Sequence, residues 1–246
     1  MVRKRTLCVL LWMICLVSTA CASGSATSQS TASTRPTSVS SPRPTSTATA
    51  TVQPSATSVP AGTVLYQADW SRGFSQWQPG SGWKVVQGQL DVTANGLSQI
   101  IIPYQPHIHN YAIEVRLEVV RLLKGEAGSW TIFGQRQNGK DGFQVSVLGV
   151  KGTEERMSGS HGAAQILLDP VTAMAPGIGI PNDYDPGFQW HIYTIEVQDN
   201  SIRFRDNGIQ IGYASSVDAY YLSNGPLGLS CQWLEVRVSS IRILSL

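Results

Sequence analysis

Between Trp190 and Tyr213 the chain alternates apolar and polar residues at a period of two, in three short runs separated by two turns. His191, Tyr193, Ile195 and Val197 alternate with Ile192, Thr194, Glu196 and Gln198, which predicts a half-buried strand. Asp199-Asn200 supplies a turn, and Ile202 and Phe204 then oppose Arg203 and Arg205. Asp206-Asn207-Gly208 offers residues that tolerate positive φ, as a tight hairpin requires. Ile209, Ile211 and Tyr213 continue the alternation, so this stretch predicts an antiparallel sheet with one face on a core.

The same period recurs on both sides. Trp83 to Val92 holds strands punctuated by glycine, and Ser98 to Tyr104 another, which Pro103 and Pro106 confine to an edge or end. Tyr111, Ile113, Val115, Leu117 and Val119 form the longest regular alternation, and its β-branched content disfavours a helix. Trp130 to Gln137 and Phe143 to Val150 flank a glycine-rich loop and predict a hairpin. From Lys151 to Gly187 the alternation fades, which predicts long loops laid over a sheet, where binding residues are usually carried. In the last strand Val236 and Val238 lie on even positions and Ile241 and Ile243 on odd ones, so a bulge at Ser239-Ser240 is expected. A dozen or so strands without an amphipathic helix predict an all-β sandwich of two antiparallel sheets over residues 62–246.

Composition divides the chain. Residues 22–61 contain 32 Ser, Thr, Ala or Pro, no aromatic residue, and only Arg35 and Arg43 as charges. Such a stretch cannot bury a core, so it predicts a disordered stalk. Arg3, Lys4 and Arg5 precede the apolar run Leu7 to Val17, which ends in small residues, and residues 1–21 therefore read as an export signal. Ser18-Thr19-Ala20-Cys21 resembles the lipobox of bacterial lipoproteins, which implies acylation of Cys21 and an extracytoplasmic, membrane-anchored chain. The competing reading is cleavage after Ala22 and secretion. The whole chain carries a formal charge of +2, but five of its 18 basic residues and none of its 16 acidic ones precede residue 62. The remaining 13 basic residues leave the domain at −3, which argues against a nucleic-acid partner. Cys231 is then the domain's lone cysteine, in an apolar setting expected to keep it inert.

The order of features resembles the concanavalin A-like lectin/glucanase jelly rolls, which include LamG-like domains. It rests on Asp69-Trp70, on Trp83-Lys84-Val85-Val86-Gln87-Gly88-Gln89-Leu90, on the strand pair Ser129 to Arg136 and Gly142 to Leu148, on Trp190 to Val197 with Asp206-Asn207-Gly208, and on Gly225 to Leu229. Within that group the chain most resembles the bacterial 3-keto-disaccharide hydrolase-like domain, formerly of unknown function. There the second strand of the pair usually carries a carboxylate, where this chain has Gln144. An amide cannot exchange a proton near neutral pH, so non-catalytic binding of an extracellular or cell-wall carbohydrate is the expected function. The alternatives are a residual hydrolase or lyase using Asp183, Asp185 or His161, and an adhesin or other protein-interaction module.

The candidate ligand-binding residues are Gln135 or Arg136, Gln144 and Ser146 on the outward side of the strand pair, with His161, Asp183 and Tyr184 from the long loop. Glu114 and Glu118 lie about 13 Å apart along one strand face, too far for a glycosidase pair, and read as a solvated face. His107 and His109 have no evident third metal ligand. Asn182, Asp183 and Asp185 are oxygen-rich in the way calcium requires, but an exposed acidic turn is the favoured reading, and no cofactor is expected.

Overall fold

A computed structural model describes residues 59–71, 73–123, 127–135, 142–152, 162–168, 182–216 and 225–246. The signal, Cys21, nearly all of the stalk, Arg136 and His161 lie outside the described residues. Ser55–Leu246 form one compact unit. Its strands, in chain order, are β1 (Val64–Gln67), β2 (Gln78–Pro79), β3 (Trp83–Val86), β4 (Gln89–Thr93), β5 (Ser98–Ile101), β6 (Tyr111–Leu122), β7 (Gly128–Gln135) and β8 (Gly142–Val150). They continue as β9 (Gly162–Leu168), β10 (Asn182–Tyr184), β11 (Trp190–Gln198), β12 (Ser201–Asp206), β13 (Ile209–Ser215), β14 (Leu227–Gln232) and β15 (Leu234–Ser245).

Two antiparallel sheets make the sandwich. One runs β13-β12-β11-β6-β15-β4-β3, with β1 added on β15, and the other runs β10-β9-β8-β7-β14-β5-β2. We call them the ionic and the amide sheet, after the side chains on their outer faces. Their inner faces share one core, in which the Trp130 ring of the amide sheet packs 4.5 Å from Tyr193 and 6.0 Å from Phe204 of the ionic sheet. Trp70, Trp77, Trp83 and Trp130 are all buried.

The predicted alternations hold in β6 and β11, whose odd residues from Tyr111 to Val119 and from His191 to Val197 are buried. The pairing of β15 with β6 shifts between Val238 and Ser240, where a bulge was expected, and Val236, Val238, Ile241 and Ile243 are all buried. Asn207 and Gly208 have φ of 47° and 84°, the left-handed values that a tight hairpin needs.

Two expectations are corrected. The stretch read as long loops contains β9 and β10, because Ala163, Ala164, Ile166, Leu167 and Leu168 are apolar on both phases and hide the alternation. In β13 the pairing with β12 shifts between Phe204 and Arg205, so Gly212 and Ala214 oppose Phe204 and Ile202. Tyr213, opposite Arg203, consequently faces outward and is 48% exposed, while Ile209 stands beside the hairpin turn, opposite Asp206, and is 71% exposed. At the N-terminal edge of the domain Gly62 N–H donates to the Ser245 carbonyl at 2.8 Å, and the Pro60 carbonyl accepts from the Ser245 hydroxyl.

Candidate functional site

Each sheet turns one face to solvent, and the two faces differ in chemistry. On the ionic sheet, Arg242 reaches Glu114 at 3.0 Å, Arg205 reaches Glu196 at 2.9 Å and Arg237 reaches Glu118 at 3.5 Å. Arg116 lies 4.5 Å over the Trp190 ring. Glu114 and Glu118 therefore belong to a lattice of surface ion pairs. Such pairs are individually weak, but here they engage most of the charge of that face internally.

The outer face of the amide sheet holds a groove of about 560 Å³. Side chains on adjacent strands share a face where their residues are paired, and the pairing here builds a transverse row. Gln99 of β5 lies opposite Ser230 of β14, Ser230 opposite Thr131 of β7, Thr131 opposite Ser146 of β8, and Ser146 opposite Gln165 of β9. A second row runs through Gly228, Phe133, Gln144 and Leu167. Five glutamines and four hydroxyl residues line the groove in all, with Leu97, Leu148 and Leu167 as apolar edges.

The inward residues between these positions, Ile100, Leu229, Ile132, Val145 and Ile166, are buried in the core and so hold the row outward. Ser146 and Ser230 are themselves buried and form the floor, where the Thr131 and Ser146 hydroxyls bond each other at 2.8 Å. In such a pair one hydroxyl donates, and the acceptor keeps its own O–H free for a third group. Gly228 makes room for the neighbouring ring: a Cβ there would come within 2.3 Å of Phe133 Cζ and 2.8 Å of the Ile100 carbonyl.

Of the residues expected to share an outward face, Gln144 and Ser146 line this groove, as does Gln135, which was named as an alternative to Arg136. Asp183 sits on the same face of β10, opposite Ala163, exposed and outside the lining. Tyr184 turns the other way, into a polar cluster where the sheets meet. Its hydroxyl donates to Asp206 at 2.8 Å and lies 3.0 Å from the Tyr193 hydroxyl, which therefore donates to it. The other Asp206 oxygen is 2.7 Å from His191 Nδ1. Burial works against the imidazolium, but the hydrogen bond and charge of Asp206, with the Pro186 carbonyl, raise the His191 pKa above its ordinary value. Burial first, and then Tyr193 and Asp206, push the Tyr184 phenol up. Burial also pushes the Cys231 thiol up, away from the nucleophilic thiolate form.

Among the described residues no group of three His, Cys, Asp or Glu is placed to hold a metal, and Asp185 accepts from Gly187 N–H at 3.0 Å within its own turn. The sequence reading missed Gln99, Thr131, Gln165, Ser230 and Gln232. Each flanks a buried residue of its strand, so the alternation marks them as outward, but which strands lie side by side is a property of the tertiary fold alone.

No protein-family model and no curated protein matches the sequence. Solved structures do. A protein of unknown function with a galectin-like fold from Bacillus subtilis superposes with a TM-score of 0.56 at 12% identity, covering 76% of this chain and 97% of that one. A legume lectin-like domain from Entamoeba histolytica gives 0.51 at 12% identity, covering 69% and 90%. The domain is a concanavalin-like jelly roll. The carbohydrate-binding module CBM66 from Bacillus subtilis gives a TM-score of 0.51 at 11% identity, covering 69% of this jelly roll's chain and 96% of its own. At these identities the likeness is one of fold.

Proposed function

We propose that the jelly roll binds carbohydrate in the groove of the amide sheet, and that an exported, lipid-anchored chain presents it outside the cell. The observation that carries the binding reading is the groove lining. Amides and hydroxyls can donate to and accept from sugar hydroxyls at once, and the leucine edges offer apolar surface to sugar C–H faces. The described lining contains no carboxylate or imidazole, which supports binding without proton transfer. The neighbouring structures that are lectin-like domains and a carbohydrate-binding module are compatible with this reading.

Gln144 tests it. It stands between Phe133 and Leu167 in the second row, half-buried, and its amide is among the groups a ligand would meet. Loss of one hydrogen bond of about 0.5–1.5 kcal/mol makes Gln144→Ala roughly two- to tenfold weaker for any glycan the parent binds, with Tm nearly unchanged. Parent-like affinity in calorimetric titration would remove this groove as the site. Gln144→Glu restores the carboxylate of the hydrolase-like domain that the strand pair resembles. Turnover of a 3-keto-disaccharide by that variant would favour the enzymatic reading, and the present proposal expects none.

Anchoring rests on Cys21 after Ser18-Thr19-Ala20 and on the Ser/Thr/Pro/Ala-rich stretch that follows it. Cys21→Ala is expected to move the protein from the detergent phase to the aqueous phase or to block its processing. Intact mass of the native N-terminus decides: an unlipidated chain starting at Ser23 would exclude the anchor.

A further inference from the structure

We infer that the groove selects uncharged, linear glycans that lie across the strands, and discriminates against uronic or sulfated ones. The inference rests on the carbohydrate-binding reading and adds a substrate class to it. Its first support is the row Gln99, Ser230, Thr131, Ser146 and Gln165, in register over five neighbouring strands. Four strand spacings of about 4.8 Å make the row roughly 19 Å long, enough for several sugar rings end to end.

The second support is electrostatic. The floor hydroxyls of Ser146 and Ser230 are buried, and the described lining residues around them are all uncharged, amides, hydroxyls and apolar side chains. Among the described residues of the groove no cation stands by, so a carboxylate brought onto that floor loses its hydration uncompensated, a cost that a sugar hydroxyl does not carry. The domain's formal charge of −3 and exposed Asp183 on the same sheet face add a field that repels anions. The arginines on the described strands of the ionic sheet are engaged there with Glu114, Glu118, Glu196, Glu235 and Trp190. They lie on the opposite side of the sandwich from the groove.

The test titrates the full chain with linear hexasaccharides of glucose, galactose, mannose and N-acetylglucosamine. Each is paired with the same chain oxidised at C6 to carboxylates and with its neutral disaccharide, at low and at high salt. At least one neutral hexasaccharide should bind with salt-independent affinity, more tightly than its disaccharide, and its oxidised partner should bind at least about tenfold more weakly. Gln165→Lys, at one flank of the row, should narrow that gap at unchanged Tm by placing a cation beside it. Three results would overturn the inference and leave carbohydrate binding standing: an oxidised chain binding as well as its neutral partner, a disaccharide binding as tightly as the hexasaccharide, or an unchanged gap in a folded Gln165→Lys. Binding of no saccharide in any series would remove the carbohydrate reading together with the inference.

Discussion

Asp206→Ala should lower the Tm of the domain by on the order of 10 °C, the counterpart of about 3 kcal/mol in a unit of this size. Asp206 is the acceptor for two groups from different strands, His191 of β11 and Tyr184 of β10. The side chains of His191 and Asp206 are only 7% and 14% exposed, so truncation leaves a buried imidazole and a half-buried phenol without their shared partner. The effect reaches the groove sheet, since Tyr184 ends the strand that pairs with β9, and β9 carries Gln165. A pH signature separates the charged pair from simple packing. The folded-state pKa of His191 is raised, so its contribution is complete below the ordinary histidine value of about 6.5 and is lost as pH rises through the raised value. The Tm difference between the parent and Asp206→Asn should therefore shrink as pH rises above about 6.5. A difference that stays constant across that range, measured by calorimetry, would show that the imidazolium is not part of the lock.

Trp130→Ala should cost about 3–5 kcal/mol, the range for removing a large aromatic side chain from a packed core. Trp130 is fully buried on the central hairpin of the amide sheet, and its ring meets Tyr193 and Phe204 across the sandwich. Removing it leaves a cavity at the seam between the sheets that neither neighbour can fill without leaving its own strand position. Trp130→Phe is the informative control. The indole N–H of Trp130 is buried without a hydrogen-bond partner, so phenylalanine gives up only volume and sheds an unsatisfied donor. Chemical denaturation should rank the parent close to Trp130→Phe and far above Trp130→Ala. Equal losses in the two variants would mean that the indole N–H, and not ring volume, matters at the seam.

Much of the fold was legible because a strand with one buried face carries its burial in its sequence. Tyr111 to Val119, His191 to Val197 and the shifted phase of Val236 to Ile243 each announced a strand, its buried side and, in the last case, its bulge. Legibility failed where both phases are apolar, as from Ala163 to Leu168, and where a bulge reverses the faces without a polar marker. In β13 small Gly212 and Ala214 take the inner positions, Gly212 close to the Ile166 side chain, while larger Tyr213 turns to solvent. Hydrophobicity there pointed to the wrong face, because the space between the sheets admits only small residues at those positions.

The candidate site divides in the same way. Alternation within β8 was enough to put Gln144 and Ser146 outward, since the neighbours Val145 and Val147 are apolar and must go inward, whereas in β7 it left Gln135 and Arg136 as alternatives. The sequence alone thus determined the all-β class, the inward and outward faces of most strands, and the outward place of Gln144 and Ser146, all of which follow from local periodicity. Only the tertiary structure decided that β14 lies between β7 and β5, that Gln99, Ser230 and Gln165 complete the row, and that Tyr184 turns inward to Asp206. Ser230 is 99 residues from Thr131, which it faces. Pairing over such separations is set by how two whole sheets share one core, and no window of sequence carries that information.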